Sequence, residues 1–296
     1  MFMMIPPKEG PYDFFQSSDK IEANSLNLLG FGFDGTACFR KGTKNGPDAI
    51  RAVSDGIESF SPYLNDDLED RKNLYDLGNL PVGETDDQYE NWKQANDAFY
   101  KLMEGRQLKK ENIKLLTLGG EHSISYAPIK TYLEAYEDLV LIHLDAHADL
   151  RDGYEGYHFS HASIIRRALD HMTEKHKLIQ YGIRSGTREE YEWMNQNKTI
   201  KKSLDEFITE VSAIDDDRPI YLTFDLDYFD PSFFPGTGTP EPGGETFHSF
   251  IKLIKILKNK NFVGADVVEL SPEIDSSGNS DVFATKVVRE VILCLT

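Results

Sequence analysis

Apolar and amphipathic segments alternate along almost the whole chain, and that alternation restricts the folds open to it. Six short runs rich in β-branched and aromatic residues, at 26–31, 114–118, 139–144, 178–183, 219–224 and 262–268, lack the every-other-residue polarity of a half-exposed strand. They read as strands buried on both faces, as a parallel sheet requires. Between them, residues 88–103, 123–136, 160–171, 246–258 and 281–293 carry apolar side chains at helical spacing. Strand and helix in repetition imply right-handed crossovers, which predicts a single three-layer α/β/α domain with a mainly parallel central sheet across residues 1–296. The Pro/Gly-rich stretch 235–244 directly follows an acidic strand end, so it reads as an ordered loop and not as a linker.

Charge narrows the function. Asp and Glu number 50 against 32 Lys and Arg, a formal balance of −18, and no dense basic tract is present. Such a surface does not suit nucleic acid or an anionic membrane, and a small cationic partner fits it better. Cys38 and Cys294 stand far apart outside any CxxC pairing, which supports neither a thiolate zinc site nor a disulfide framework. Met1 to Gly10 lacks a basic segment followed by an apolar one, and no run approaches the roughly 18 apolar residues of a membrane span. The expectation is cytoplasmic residence.

Ligands of open α/β sheets sit beyond the carboxyl ends of the strands. There the sequence places Gly119-Gly120-Glu121-His122-Ser123, then Asp145-Ala146-His147-Ala148-Asp149, then Asp225-Leu226-Asp227. Two imidazoles and four carboxylates gathered at one sheet edge repel unless cations are bound. Alternation puts Asp145, His147 and Asp149 on one side of an extended segment, and Asp225 and Asp227 likewise. Six ligands exceed the needs of one ion, whereas two ions bridged by shared carboxylates use them all. The donor set is mostly carboxylate oxygen with two imidazoles and no thiolate, which favours Mn²⁺ over a zinc-type site and leaves Co²⁺, Ni²⁺ and Fe²⁺ open. A single Asp-x-Asp at a strand end is usually a cap or a solvated loop. Three ligand clusters at strand ends of one sheet are the convergence that marks a site. His143, inside an apolar strand, reads as a core residue or a partner of a ligand. Glu121 can orient a ligand or cap the following helix. His171, His176 and His248 read as surface residues in polar helical contexts.

These motifs, with Phe224-Asp225-Leu226-Asp227 running through Asp230-Pro231 to Gly236-Thr237-Gly238-Thr239-Pro240-Glu241-Pro242-Gly243-Gly244, resemble those of the ureohydrolase family of arginases and agmatinases. The agmatinases of prokaryotes are the most similar branch. Weaker matches at Phe33-Asp34-Gly35-Thr36, residues 42–51, Gly182-Ile183-Arg184-Ser185 and Val267-Val268-Glu269-Leu270-Ser271-Pro272 extend the resemblance over most of the chain. Residues 1–22, expected to form an N-terminal extension, and the acidic stretch 64–71 match nothing in it. The resemblance implies an arginase-like fold and two Mn²⁺ per chain. His122 and Asp149 bind one ion, His147 and Asp227 the other, and Asp145 with Asp225 bridge both. It further implies a proton-shuttling histidine, matched by His161 in Tyr157-His158-Phe159-Ser160-His161-Ala162-Ser163. Ala162 stands where glycine is common, which leaves His158 as the other candidate. Glu269 matches the glutamate that pairs with the guanidinium, and a homo-oligomer, trimer or hexamer, is implied as well.

The chemistry demanded by that resemblance agrees with the residues. A guanidinium carbon, stabilised by three nitrogens, is a poor electrophile, so the nucleophile must be a hydroxide held between two cations. Asp149 accepts its proton and returns it to the leaving alkylamine, whose pKa of roughly 10 forbids departure unprotonated. His161 exchanges protons with solvent, and Glu269 offers fork-like pairing to the substrate cation. The loop Leu150-Arg151-Asp152-Gly153-Tyr154-Glu155-Gly156-Tyr157 differs from the Asn/Thr/Ser-rich loop with which arginases grip an amino acid. Its acids and aromatics suit the ammonium tail of agmatine, giving urea and putrescine. Arg151 keeps 4-guanidinobutyrate open, and aminopropylagmatine and arginine are further alternatives. A one-zinc deacetylase-like enzyme and a catalytically silent metal-binding relative are the competing readings, and the intact ligand set with His161 and Glu269 speaks against both.

Overall fold

The computed structural model describes residues 3–8 and 10–296. The described residues form ten strands: β1 (Gln16–Ser17), β2 (Ser25–Phe31), β3 (Phe60–Ser61), β4 (Asp66–Asp67), β5 (Leu74–Asn79), β6 (Ile113–Gly119), β7 (Val140–Leu144), β8 (Lys177–Tyr181), β9 (Ile220–Asp225) and β10 (Phe262–Val268). Strands β3 and β4 make a small antiparallel hairpin. The other eight form one sheet in the order β1-β5-β2-β6-β10-β9-β7-β8, with every neighbouring pair parallel. All six sequence-read strands are present. The run 178–183 stops at Tyr181 because Gly182 adopts φ 97°, and a Cβ there would stand 2.7 Å from the Asp145 carbonyl oxygen.

Among the described residues, eight α-helices surround the sheet: α1 (Gly46–Ser54), α2 (Gln88–Leu102), α3 (Tyr126–Ala135), α4 (Ile164–Leu169), α5 (Arg188–Asn197), α6 (Leu204–Ser212), α7 (Phe247–Leu257) and α8 (Asn279–Leu295). Strand periodicity decides which layer each apolar residue joins. Val140, Ile142 and Leu144 of β7 face the layer built by α1, α6, α7 and α8, whereas Leu141 faces the one built by α2, α3 and α4. Two expected helices begin as 3₁₀ turns: 122–125 precedes α3 and 161–163 precedes α4. His171 and His176 lie in the turns that follow α4, half-buried and not helical. His176 approaches the Tyr136 carbonyl at 2.9 Å, while His248 is exposed at the start of α7.

Strand β5 and helix α1 each carry one partner of a buried ion pair, which interrupts their apolar patterns. The Asp76 carboxylate in β5 receives Arg51 Nε at 2.7 Å and the second guanidinium nitrogen at 2.8 Å, with both side chains fully buried. It also accepts from the Tyr12 and Gly78 amides. Residues 10–22 are thereby packed onto the sheet: Tyr12, Phe15 and Ile21 are buried and β1 pairs with β5. Residues 1, 2 and 9 of the expected extension lie outside the described residues. Among the described residues, no helix is long and apolar enough to cross a membrane.

Removing one partner of a buried pair strands the other charge, at a cost of about 3–5 kcal/mol. Asp76→Ala is expected to lower unfolding stability by about that amount in urea titration at unchanged m-value. A loss below about 1 kcal/mol, the range of an exposed pair, would show that Asp76 does not fasten α1 and the N-terminal segment to the sheet.

Candidate metal centre

Four adjacent strands, β6, β10, β9 and β7, present their carboxyl ends side by side. Strands β6 and β7, consecutive in the chain, are separated by β10 and β9, so the order of the sheet turns back on itself where the polar residues gather. Strand β6 delivers Gly120-Glu121-His122 against the end of β2: the Gly120 amide donates to Phe31 and the Glu121 amide to Phe33. A Cβ on Gly120 would stand 2.0 Å from the Phe33 carbonyl oxygen, so this approach is open only to glycine.

His122 is the hub of one group of donors. Its Nδ1 lies 3.0 Å from Asp145, 3.1 Å from Asp149 and 3.5 Å from Asp225 carboxylate oxygens. Its Nε2 meets Thr223 Oγ1 at 2.8 Å, and that hydroxyl donates to Asp266 at 2.7 Å. The Thr223 proton is thus committed, Nε2 carries the ring proton, and Nδ1 is left to face the carboxylates. Asp266 is itself held by Ser125 and Tyr221 hydroxyls. His147 anchors the second group, with Nδ1 at 2.9 Å from Asp227 and 3.5 Å from Asp145. Among the described residues, two sets of side chains that could hold a cation therefore emerge, His122 with His143, Asp145 and Asp149, and Asp145 with His147 and Asp227; Asp145 belongs to both. Carboxylate and imidazole donors without a thiolate, two of each in the first set and two carboxylates with one imidazole in the second, suit hard or borderline divalent cations.

The segment carrying Asp145, His147 and Asp149 is not the continuous extended stretch expected. Strand β7 ends at Leu144, and Asp149 takes φ 53° in the left-handed region. Its Cα turns there so that its carboxylate returns to His122, and the amides of Ala146 and His147 are satisfied by Asp227 and Asp145. Glu269, just past β10, has φ 69° and accepts the His122 amide at 2.8 Å. Left-handed conformations cost energy for residues with a Cβ and concentrate at functional positions. Its carboxylate caps the start of the 122–125 turn through one oxygen and faces the cavity as well.

Burial and mutual repulsion set the protonation of the cluster. Burial pushes Asp149 up to about 6, helped by the Asp145 charge. Burial with Asp227 and Asp145 raises Asp225, and burial with Glu121 raises Glu269. Burial would also raise Asp145, but the surrounding His143, His122 and His147 hold it well below the usual carboxylate range. The two imidazoles, which burial alone would keep neutral, are driven upward by their carboxylate neighbours. His161 falls to about 4 through burial and the charges of His147 and His122.

A cavity of about 190 Å³ opens above these groups, with His122, His147, Asp149 and Asp225 on its floor and Arg151, Tyr154, His161, Glu190, Thr239 and Glu269 among its walls. His161 lines it; His158 does not, and is held against Arg167 and Phe159. His143, fully buried, joins Asp145 at 2.8 Å and Gln180 at 3.2 Å, the arrangement of a residue that steadies a carboxylate. The loop acids depart from expectation. Asp152 turns outward to Arg167 at 2.5 Å and Glu155 is exposed, whereas the loop offers the cavity Arg151, stacked 4.5 Å above the Tyr154 ring. The acid that stands in the wall besides Glu269 is Glu190, buried, accepting the Leu150 and Thr187 amides. Its sequence signal, Thr187-x-x-Glu190, is that of a helix capping box, which α5 does contain.

Comparison with known proteins agrees with this geometry. Residues 24–294 match the model of the arginase family. The chain is 37% identical to an agmatinase of Bacillus anthracis over 284 residues, covering 95% of each chain, and equally identical to that of Bacillus subtilis (strain 168) over 288 residues. It superposes on the crystal structure of agmatine ureohydrolase of Thermoplasma volcanium with a TM-score of 0.79 at 28% identity, covering 96% of this chain and 94% of that one. A sheet of this order, a polar cluster at this edge and similarity along nearly the whole length lead to one conclusion: the chain belongs to the arginase family.

Proposed function

We propose that this protein is an agmatinase-type ureohydrolase that cleaves agmatine to urea and putrescine with two Mn²⁺ ions. The observation that carries the reading is the pair of donor groups sharing Asp145, set in one cavity with Glu269. In this reading His122 and Asp149 hold one ion, His147 and Asp227 the other, and Asp145 and Asp225 span both. When bound, the cations supply Lewis-acid activation of the attacking water at neutral pH. The remaining work belongs to the chain. Glu269, fixed through one oxygen by the His122 amide, keeps its other oxygen for the guanidinium and orients its plane toward the metal floor. Asp149 takes the proton of the attacking water and delivers it to the departing alkylamine. His161, in the cavity wall beside the Tyr154 ring, exchanges protons between the cavity and solvent, separately from the one Asp149 carries to the amine. Glu190 keeps free lone pairs beside its two backbone bonds and provides the acid for the ammonium tail, the role expected of Asp152 and Glu155. Homo-oligomeric assembly and cytoplasmic residence belong to the same proposal.

The reading is tested by steady-state urea release from Mn²⁺-loaded protein offered agmatine. Urea is expected at a catalytic rate, and Glu269→Gln is expected to retain two metals per chain while losing roughly 10- to 100-fold in kcat/KM, the worth of one charge-assisted bond. No urea from agmatine with both sites loaded, or an unimpaired Glu269→Gln, would refute the assignment.

The cluster's proton content makes a second expectation. Ligation requires bare imidazole nitrogens and ionised carboxylates, whereas in the free site carboxylate neighbours raise His122 and His147, and burial raises Asp149 and Asp225, so all four bind protons more readily than usual. Groups whose pKa values are raised compete with metal more strongly as pH falls. Calorimetric titration of Mn²⁺ into the metal-free protein is expected to show net proton release through buffers of different ionisation enthalpy, and tighter binding at pH 8 than at pH 6. Buffer-independent enthalpies would contradict it.

A further inference from the structure

The motif Phe33-Asp34-Gly35-Thr36 plays no part in the reaction described above, yet the fold brings its last residue to His161. Thr36 is buried beside the cavity wall, and its side chain stands between two groups 40 residues apart in the chain. On one side its Oγ1 lies 2.5 Å from Glu121 Oε1, and its amide donates to Glu121 Oε2 at 2.8 Å. On the other, Oγ1 lies 3.2 Å from both the backbone nitrogen and the ring Nδ1 of His161. Glu121, fully buried, also receives the Ser123 hydroxyl at 2.6 Å.

The donor inventory orients this chain of bonds. A carboxylate that receives an amide and two hydroxyls acts as an acceptor in all three. The single Thr36 hydroxyl proton is then spent on Glu121, and its oxygen has only lone pairs left for His161. The backbone N–H of His161 uses one. The ring can use the other only by donating, so Nδ1 carries the proton and Nε2 is bare in the neutral ring. Among the described residues Nε2 has no hydrogen-bond partner, and the ring lines the cavity. A free imidazole prefers the opposite tautomer, so the arrangement imposes a choice that the ring does not make alone.

We propose that Thr36, anchored by Glu121, is a positioning residue that fixes the orientation and Nδ1–H tautomer of His161, leaving Nε2 free to exchange protons at the cavity. The inference rests on the reading of His161 as the proton-exchanging group. It also gives Glu121 a use that neither of its sequence readings contained: it heads the 122–125 turn without capping it through its side chain, and holds Thr36 instead.

Two measurements test it. In the protein loaded with diamagnetic Zn²⁺ and labelled with ¹⁵N-histidine, with His161→Asn to assign the signal, His161 is expected to show a protonated Nδ1 and a bare Nε2. Thr36→Val is expected to return the ring toward the free-imidazole mixture, and Thr36→Ser to preserve the native tautomer. In the Mn²⁺-loaded protein, Thr36→Val is expected to lower kcat about tenfold with KM within about twofold, Thr36→Ser to restore it, and the Thr36→Val loss to vanish in the His161→Asn background. A protonated Nε2 in the unaltered protein overturns the proposal. So does an additive loss in the double variant when His161→Asn is itself impaired, since Thr36 then acts by another route. Unimpaired turnover of His161→Asn overturns the reading of His161 and this role with it.

Discussion

The repulsion among carboxylates buried at one sheet edge is the constraint around which this structure is organised. Asp145, Asp149, Asp225, Asp227 and Glu269 are all buried within one small region, and two imidazoles alone do not neutralise them. Charges of one sign in low dielectric are tolerated only when protons or cations compensate them. The surroundings show how each charge is fixed. Asp145 is steadied by His143, itself held by Gln180, and His122 is aimed by Thr223, with Asp266, Ser125 and Tyr221 behind it. Residues that hold ligands by their far side set both direction and basicity, so the site extends well beyond the six side chains proposed to touch metal.

Much of this was legible in the sequence because the physics that selects it is local. Strands buried on both faces must be apolar throughout, and all six such runs became strands. Ligand-type residues directly after them had to emerge at the carboxyl edge, and His122, Asp145, His147, Asp149, Asp225 and Asp227 do converge there. What was hidden depended on tertiary partners. Strand β5 has no legible apolar run because Asp76 interrupts it, and the Arg51 guanidinium, 25 residues away, with the Tyr12 and Gly78 amides makes that burial tolerable. The insertion of β10 and β9 between β6 and β7 has no local signature. Neither do the left-handed turns at Asp149 and Glu269, since nothing in the side chain of an acid announces φ above zero.

The cavity wall shows the same limit in a functional setting. Composition pointed to Asp152 and Glu155 as acids for a cationic tail, but the turn directs Asp152 to Arg167 and leaves Glu155 in solvent. Glu190 belongs to the capping box of α5, and its bonds to the Thr187 and Leu150 amides also hold its carboxylate in the wall. Arg151 occupies the cavity while its charge is turned onto the Tyr154 ring. One side chain serving fold and site together is difficult to read from sequence, because either role alone accounts for its presence.

The central claim is that two cations share Asp145. Elemental analysis of Mn²⁺-equilibrated, desalted protein measures it directly, compared between the unaltered chain and Asp145→Ala. The account predicts two manganese ions per chain in the former and close to none in the latter, with secondary structure retained. One ion or none in the unaltered chain, or two retained after Asp145→Ala, would contradict it.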